Sequence, residues 1–288
     1  MDTDERTLPA MPRTSPGPQE PIDAGKRNVL GVLVDAVDYR GAVRRVLKAA
    51  EEGRGLSGTA LAVHGLMEGV RSPEMRYRLN RLDLVTPDGQ PVRWALNFLY
   101  GTRLPDRVYG PRLMLEICRA AADRGLPIFL YGSRRDVLDR LGRSLRERVP
   151  GLVIAGSEPS LFRTTTRAEK NAIVRRIRDS GARIAFVGLG CPRQEIFAFE
   201  YREALRMPVI AVGAAFDYHA GLLREPAPWV QRSGLQWLHR LAQEPRRLWR
   251  RYVLLNPEFA VRFALQALGL SRPDPDDARP PRAEVLYG

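Results

Sequence analysis

Short apolar runs alternate with amphipathic stretches through residues 28–223. The runs at 28–34, 59–64, 84–86, 127–131, 152–155, 183–187 and 208–212 read as buried strands. Between them, 39–52, 66–80, 91–100, 111–124, 136–148 and 167–179 carry helical periodicity. In 111–124, Leu113, Met114, Ile117 and Ala121 form one core-facing stripe. Strands alternating with helices of this length predict an α/β, Rossmann-like fold, a mostly parallel sheet with helices on both faces.

The pattern changes at residue 224. Residues 224–269 show no strand signal and are helical, aromatic and basic. Leu235, Leu238 and Leu241 share a helix face that Pro245 must end or kink. Beyond it, Arg246, Arg247, Arg250 and Arg251 interleave with Leu248, Trp249, Tyr252 and Leu255. That pattern fits a helix lying at a membrane interface and equally an ordinary surface helix packed on the core. The proline-rich ends, 1–27 and 270–288, read as a disordered leader and tail. The expected division is therefore leader, α/β core over 28–223, helical appendage over 224–269, and tail.

Composition narrows the partners. The formal net charge is +13 over 288 residues. Arginine carries nearly all of it, because Lys26, Lys48 and Lys170 are the only lysines. Such a surplus favours nucleic acid, anionic lipid headgroups or phosphorylated substrates. Cys118 and Cys191 have no metal or redox spacing. No run approaches the roughly 18 apolar residues of a membrane span, and no apolar signal core opens the chain. A cytoplasmic protein is expected.

Two of the strands break at glycine: Val187-Gly188-Leu189-Gly190-Cys191-Pro192-Arg193-Gln194-Glu195 and Val212-Gly213-Ala214-Ala215-Phe216-Asp217. Glycine lets backbone approach a ligand closely, and Pro192 suits a helix start whose free N–H groups favour an anion. Adjacent glycine-bearing strand ends describe the edge where open α/β sheets bind nucleotides; two tight strand–helix turns are the plainer reading. Asp88 lies in a Pro-Asp-Gly turn, which by itself is usually only a turn. The first strand holds Gly31 alone, without the Gly-x-Gly-x-x-Gly of a dinucleotide site. No Asp-x-Asp pair lies in the core, and no metal-ligand spacing is found there.

Five ordered motifs, Pro87-Asp88-Gly89-Gln90-Pro91, Arg107-Val108-Tyr109-Gly110, Gly188 to Glu195, Gly213 to Gly221 and Gly234 to Leu241, resemble the WecG/TagA/CpsF family of bacterial glycosyltransferases. The likeness covers roughly residues 29–255. It implies inverting, metal-independent transfer of a sugar from a UDP-sugar to a polyprenyl-diphosphate-linked acceptor at the cytoplasmic membrane, in cell-surface polysaccharide synthesis. No cofactor is expected beyond the UDP-sugar substrate.

Asp88 then becomes the candidate base. Arg107, Gly188, Gly190, Pro192, Gln194, Gly213, Asp217 and His219 become donor-binding candidates. Arg224, Arg232, Arg240, Arg246 and Arg250 are candidates for the lipid diphosphate or an anionic inner-membrane surface. Where family members commonly have Thr-x-Asn, this chain has Ala62-Val63-His64, so His64 is a second catalytic candidate. Arg224-Glu225-Pro226-Ala227-Pro228 also departs from the usual Arg-Ala-Pro. The competing reading is a non-catalytic nucleotide- or nucleic-acid-binding α/β protein. Nucleic acid is not the expected partner, and homo-oligomerisation is left open.

Overall fold

The computed structural model describes residues 20–288; residues 1–19 of the expected leader lie outside the described residues, as do the side chains of Pro228, Arg232, Arg247 and Arg251. The chain opens with a hairpin, β1 (Asp23–Val29) and β2 (Val32–Val37), where the hydrophobic pattern predicts one strand. Leu30 and Gly31 turn the chain with φ of +56° and +86°, the signature of a two-residue type I′ loop. An unbroken apolar run hides that loop.

There follow α1 (Tyr39–Glu51), β3 (Leu56–Leu61), α2 (Val63–Arg71), α3 (Pro73–Asn80), β4 (Leu84–Pro87), α4 (Gln90–Tyr100) and α5 (Gly110–Asp123). Next come β5 (Ile128–Gly132), α6 (Arg135–Arg148), β6 (Ile154–Glu158), α7 (Arg167–Asp179), β7 (Ile184–Gly188), α8 (Arg193–Leu205) and β8 (Pro208–Ala211). The chain finishes with α9 (Ala215–His219), α10 (Pro228–Arg232), α11 (Gln236–Gln243) and α12 (Pro245–Ala267). The expected helix over 66–80 is two. Pro73 lacks the N–H to continue α2, and Ser72 Oγ accepts from Met75 N at 3.2 Å to start α3.

Six strands form one wholly parallel sheet in the order β4-β3-β8-β7-β5-β6. Two cores flank it. Leu66, Met67, Ile173, Ile177, Phe197 and Tyr201 of α2, α7 and α8 lie in one. Val46, Leu113, Ile117, Leu138, Leu141 and Phe216 of α1, α5, α6 and α9 lie in the other. The β5→β6 and β7→β8 connections therefore leave on opposite faces, which opens a crevice between β5 and β7 at their carboxyl ends. A Cβ on Gly132 would stand 2.8 Å from Gly188 O, so glycine is what lets these two strand ends lie so close.

The tail departs from expectation. Leu286 is buried in the α7–α8 core. Thr165 N donates to Leu286 O at 2.9 Å, Gly288 N donates to Arg163 O at 3.2 Å, and Tyr201 Oη donates to Tyr287 O at 3.0 Å. Val285 and Tyr287 pack on the same core, and Glu284 pairs with Lys170, so side chains and backbone bonds together fix the segment. At the other end, the expected leader gives way to β1 at Asp23.

Candidate active site

All six strands of the sheet run parallel, so their carboxyl ends share one edge, and the chemistry-bearing motifs collect there. Asp88 follows β4, on the outer strand. Its N–H donates to Leu61 O at 3.1 Å, which ties it to the end of β3. Arg107 Nη1 donates to the Asp88 carbonyl at 3.2 Å and stands 3.8 Å from Oδ1. The Gly110 N–H, at the start of α5, donates to the carboxylate. Burial pushes the Asp88 carboxyl up to about 6, against the pull of Arg107, Arg240 and the Gly110 N–H. A carboxylate near neutrality of this kind is suited to accept a proton.

Arg240, expected on the lipid side, is half-buried within the field of Asp88, Tyr109 and Tyr218. It arrives there on α11 because the appendage lies over the site. Gln90 Nε2 donates to Gln231 O at 3.4 Å, and Gly234 packs on the Trp94 ring. Arg107 Nη2, Gln90 Oε1 and Arg240 Nε are buried without a hydrogen-bond partner. Such groups are costly to leave unmade. Their concentration around one carboxylate marks the place where a polar ligand would complete the bonding.

His64 is not at a strand end. β3 stops at Leu61, and His64 sits in the first turn of α2, its Nε2 3.1 Å from Glu68 Oε1. That turn still abuts the Pro-Asp-Gly turn: a Cβ on Gly89 would be 3.6 Å from Val63 N. No side chain caps α2, so its first N–H groups point toward the same edge.

Three strands along the sheet, roughly 14 Å away at ordinary strand spacing, lie Gly188, Gly190 and Pro192. Gly190 adopts φ +77°, and a Cβ on Gly188 would meet the Phe216 ring at 2.6 Å. Pro192 caps α8 without a side-chain hydrogen bond. Gln194 departs from its expected ligand-facing role, because both ends of its amide are used inside the protein. Its Oε1 accepts from Gly213 N at 3.1 Å and its Nε2 donates to Glu195 Oε1 at 2.9 Å. Glu195, absent from the sequence candidates, also accepts from Thr59 Oγ1 at 3.0 Å, and burial pushes its carboxyl up. This buried chain fixes the β7 and β8 loops to the middle of β3.

His219 also lies away from the glycine loop. Arg148 Nη1 bonds its Nδ1 at 2.8 Å, and its Nε2–H donates to Pro111 O at 2.8 Å. Burial lowers its pKa and keeps it neutral. Asp217 is half-buried on α9, and its carbonyl accepts from Leu222 N at 2.9 Å. Arg224, Arg246 and Arg250 are exposed on the appendage; the Arg232 side chain lies outside the described residues. Among the described residues no cluster of three or more His, Cys, Asp or Glu could hold a metal ion.

The model of the glycosyl transferase WecG/TagA/CpsF family matches residues 27–273. The chain belongs to this family. Membership makes it a glycosyltransferase of cell-surface polysaccharide synthesis, and it favours transfer over the nucleic-acid-binding alternative. The match spans sheet and appendage together, the two parts that meet at Asp88.

The residues that sequence reasoning passed over had uneven signals. Glu195 stands within the glycine motif but reads as an ordinary acid in a helix's first turn. Gln90, next to the Pro-Asp-Gly turn, had a motif to point to it; Thr59, mid-strand, had none.

Proposed function

We propose that the chain is an inverting, metal-independent transferase that moves a sugar from a UDP-sugar to a polyprenyl-diphosphate-linked acceptor. The observation that carries this reading is Asp88, a half-buried carboxylate with a raised pKa, set between Arg107 and the start of α5. Asp88 takes the proton from an acceptor hydroxyl as that oxygen attacks the anomeric carbon from the side opposite the leaving group. The bond from that carbon to the UDP oxygen breaks, and its electron pair stays on the diphosphate.

The departing charge needs fixed positive partners. Arg107, Arg240 and the uncapped starts of α2 and α8 are aimed at the same edge and meet that need. The uridine end lies in the β5–β7 crevice. The separation from there to Asp88 suits a donor laid along the sheet edge. The acceptor's lipid lies against the exposed apolar faces of α4 and α10–α12, which rim the site, at the inner face of the cytoplasmic membrane.

Asp88→Asn tests the assignment. Transfer should fall by at least about 10²-fold, the scale of a lost general base, while UDP affinity by calorimetry changes little. Turnover close to the parent rate, in a variant with unaltered circular dichroism, would remove Asp88 as the base.

A further inference from the structure

A cavity of about 340 Å³ opens beside Arg107, on the side of the sheet covered by α1, α5 and α9, and no role given above uses it. Its polar lining is mixed in sign: Asp106 and Glu225 face Arg107, Arg112 and Arg148, with the Gln231 amide among them. Arg112 is already paired with Glu116 at 2.8 Å. The lining is therefore close to electrically balanced, unlike a phosphate site, which needs surplus positive charge. Tyr39 and Leu115 add an apolar wall.

Carboxylates accept, guanidiniums donate and an amide does both. A ligand that satisfies all of them must carry several groups that are donor and acceptor at once, together with a C–H face for the aromatic wall. A sugar ring has that chemistry. The volume lies at the small end of ligand pockets, which suits a single ring.

The lining is also held in place before anything binds. The Arg112 guanidinium lies 4.3 Å from the Tyr39 ring centroid, and Tyr39 Oη accepts from Tyr109 N at 2.8 Å. Asp106 Oδ1 accepts from Arg107 N at 2.8 Å and from Gln90 Nε2 at 3.3 Å. His219 fixes Arg148, and Gln231 Nε2 donates to Pro226 O at 2.9 Å. Arg107 is shared: it lines this cavity and its Nη1 stands 3.8 Å from Asp88 Oδ1. A ring seated here would share Arg107 with Asp88.

We propose that this cavity is the subsite for the acceptor's sugar ring, with Arg148, Glu225 and Gln231 at its mouth setting which acceptor is used. The proposal rests on the transferase reading above. Arg148 and Glu225 are exposed; Glu225→Gln leaves the core untouched, whereas Arg148→Ala removes a partner of buried His219, so its circular dichroism is compared with the parent's. The probes are short-chain polyprenyl diphosphates bearing one gluco-, galacto- or manno-configured N-acetylhexosamine.

For the probe the parent uses, each variant should raise the acceptor KM about five-fold or more, the loss of one ligand hydrogen bond. UDP affinity by calorimetry, and slow UDP-sugar hydrolysis without acceptor, should stay at parent values. An unchanged acceptor KM in both variants would overturn the proposal, as would a parent that binds UDP yet uses none of the three probes. A parent that neither binds UDP nor cleaves a UDP-sugar would overturn the transferase reading instead.

Discussion

A single carboxylate shows at the residue scale how the proposed chemistry would work against stability. Asp88 holds its proton more tightly in the folded chain than in the unfolded one, because its pKa rises from 3.8 to about 6. Its contribution to stability is thus fully present below the unfolded value and is lost as pH rises through about 6. At neutral pH the ionised group strains the fold by about 1–3 kcal/mol. Asp88→Asn, which cannot ionise, should therefore be inactive yet at least as stable as the parent at pH 7 in urea titrations. At pH 4 the gain should vanish. Activity should move oppositely, with kcat/KM climbing between pH 5 and 7 along an apparent pKa near 6. A profile flat across that range would show that no group titrating there acts as the base. Gln194 and Glu195 make a complementary point: polar side chains in a site motif can serve the backbone, here by tethering Gly213 and Thr59.

The elements were largely legible from periodicity. The bounds of 167–179 match α7, whose ends are marked by the Thr166–Glu169 capping box and the glycine after Ser180. Legibility failed wherever a backbone turn, not a side-chain pattern, set the boundary. Leu30-Gly31 splits one apolar run into a hairpin, and the end of β3 at Leu61 moves His64 from strand to helix. Asp88 and Arg107 do meet, whereas Arg240 reaches them through a tertiary contact that no local pattern encodes. The tail is the clearest failure, since composition misses a segment held by Leu286 and its neighbours, the Lys170–Glu284 pair and a few backbone bonds. Leu286→Ala tests whether that segment belongs to the core's cooperative unit. Truncating a buried leucine should cost about 2 kcal/mol, read as a lower urea midpoint with unchanged slope. An unaltered midpoint would mean that residues 284–288 open independently of the core.

At the scale of the whole molecule, no helix among the described residues is long and apolar enough to cross a membrane, yet one side of the protein is conspicuously oily. Trp94, Phe98, Trp229, Leu238, Trp249 and Val253 are all exposed. They belong to elements that touch: Gly234 packs on Trp94, and the Phe98 and Phe263 rings lie 5.9 Å apart. Leu248, Leu255 and Phe259 point the opposite way and are buried, so α12 is anchored to the core while presenting a second apolar face outward. Arg246 and Arg250 are exposed on the same helix. An apolar face flanked by arginines suits an anionic bilayer surface, and it would hold the mouth of the Asp88 site against the lipid. Trp249→Ser with Val253→Ser should reduce co-sedimentation with anionic vesicles several-fold. Arg246→Glu with Arg250→Glu changes the charge by four units and should cost about 4 kcal/mol at low salt, at about 1 kcal/mol per charge, and less as salt is added. If the serine pair binds vesicles as the parent does, the oily face is not the contact. If the charge reversals abolish binding at low salt while the serine pair changes nothing, long-range attraction, not insertion, brings the site to its acceptor.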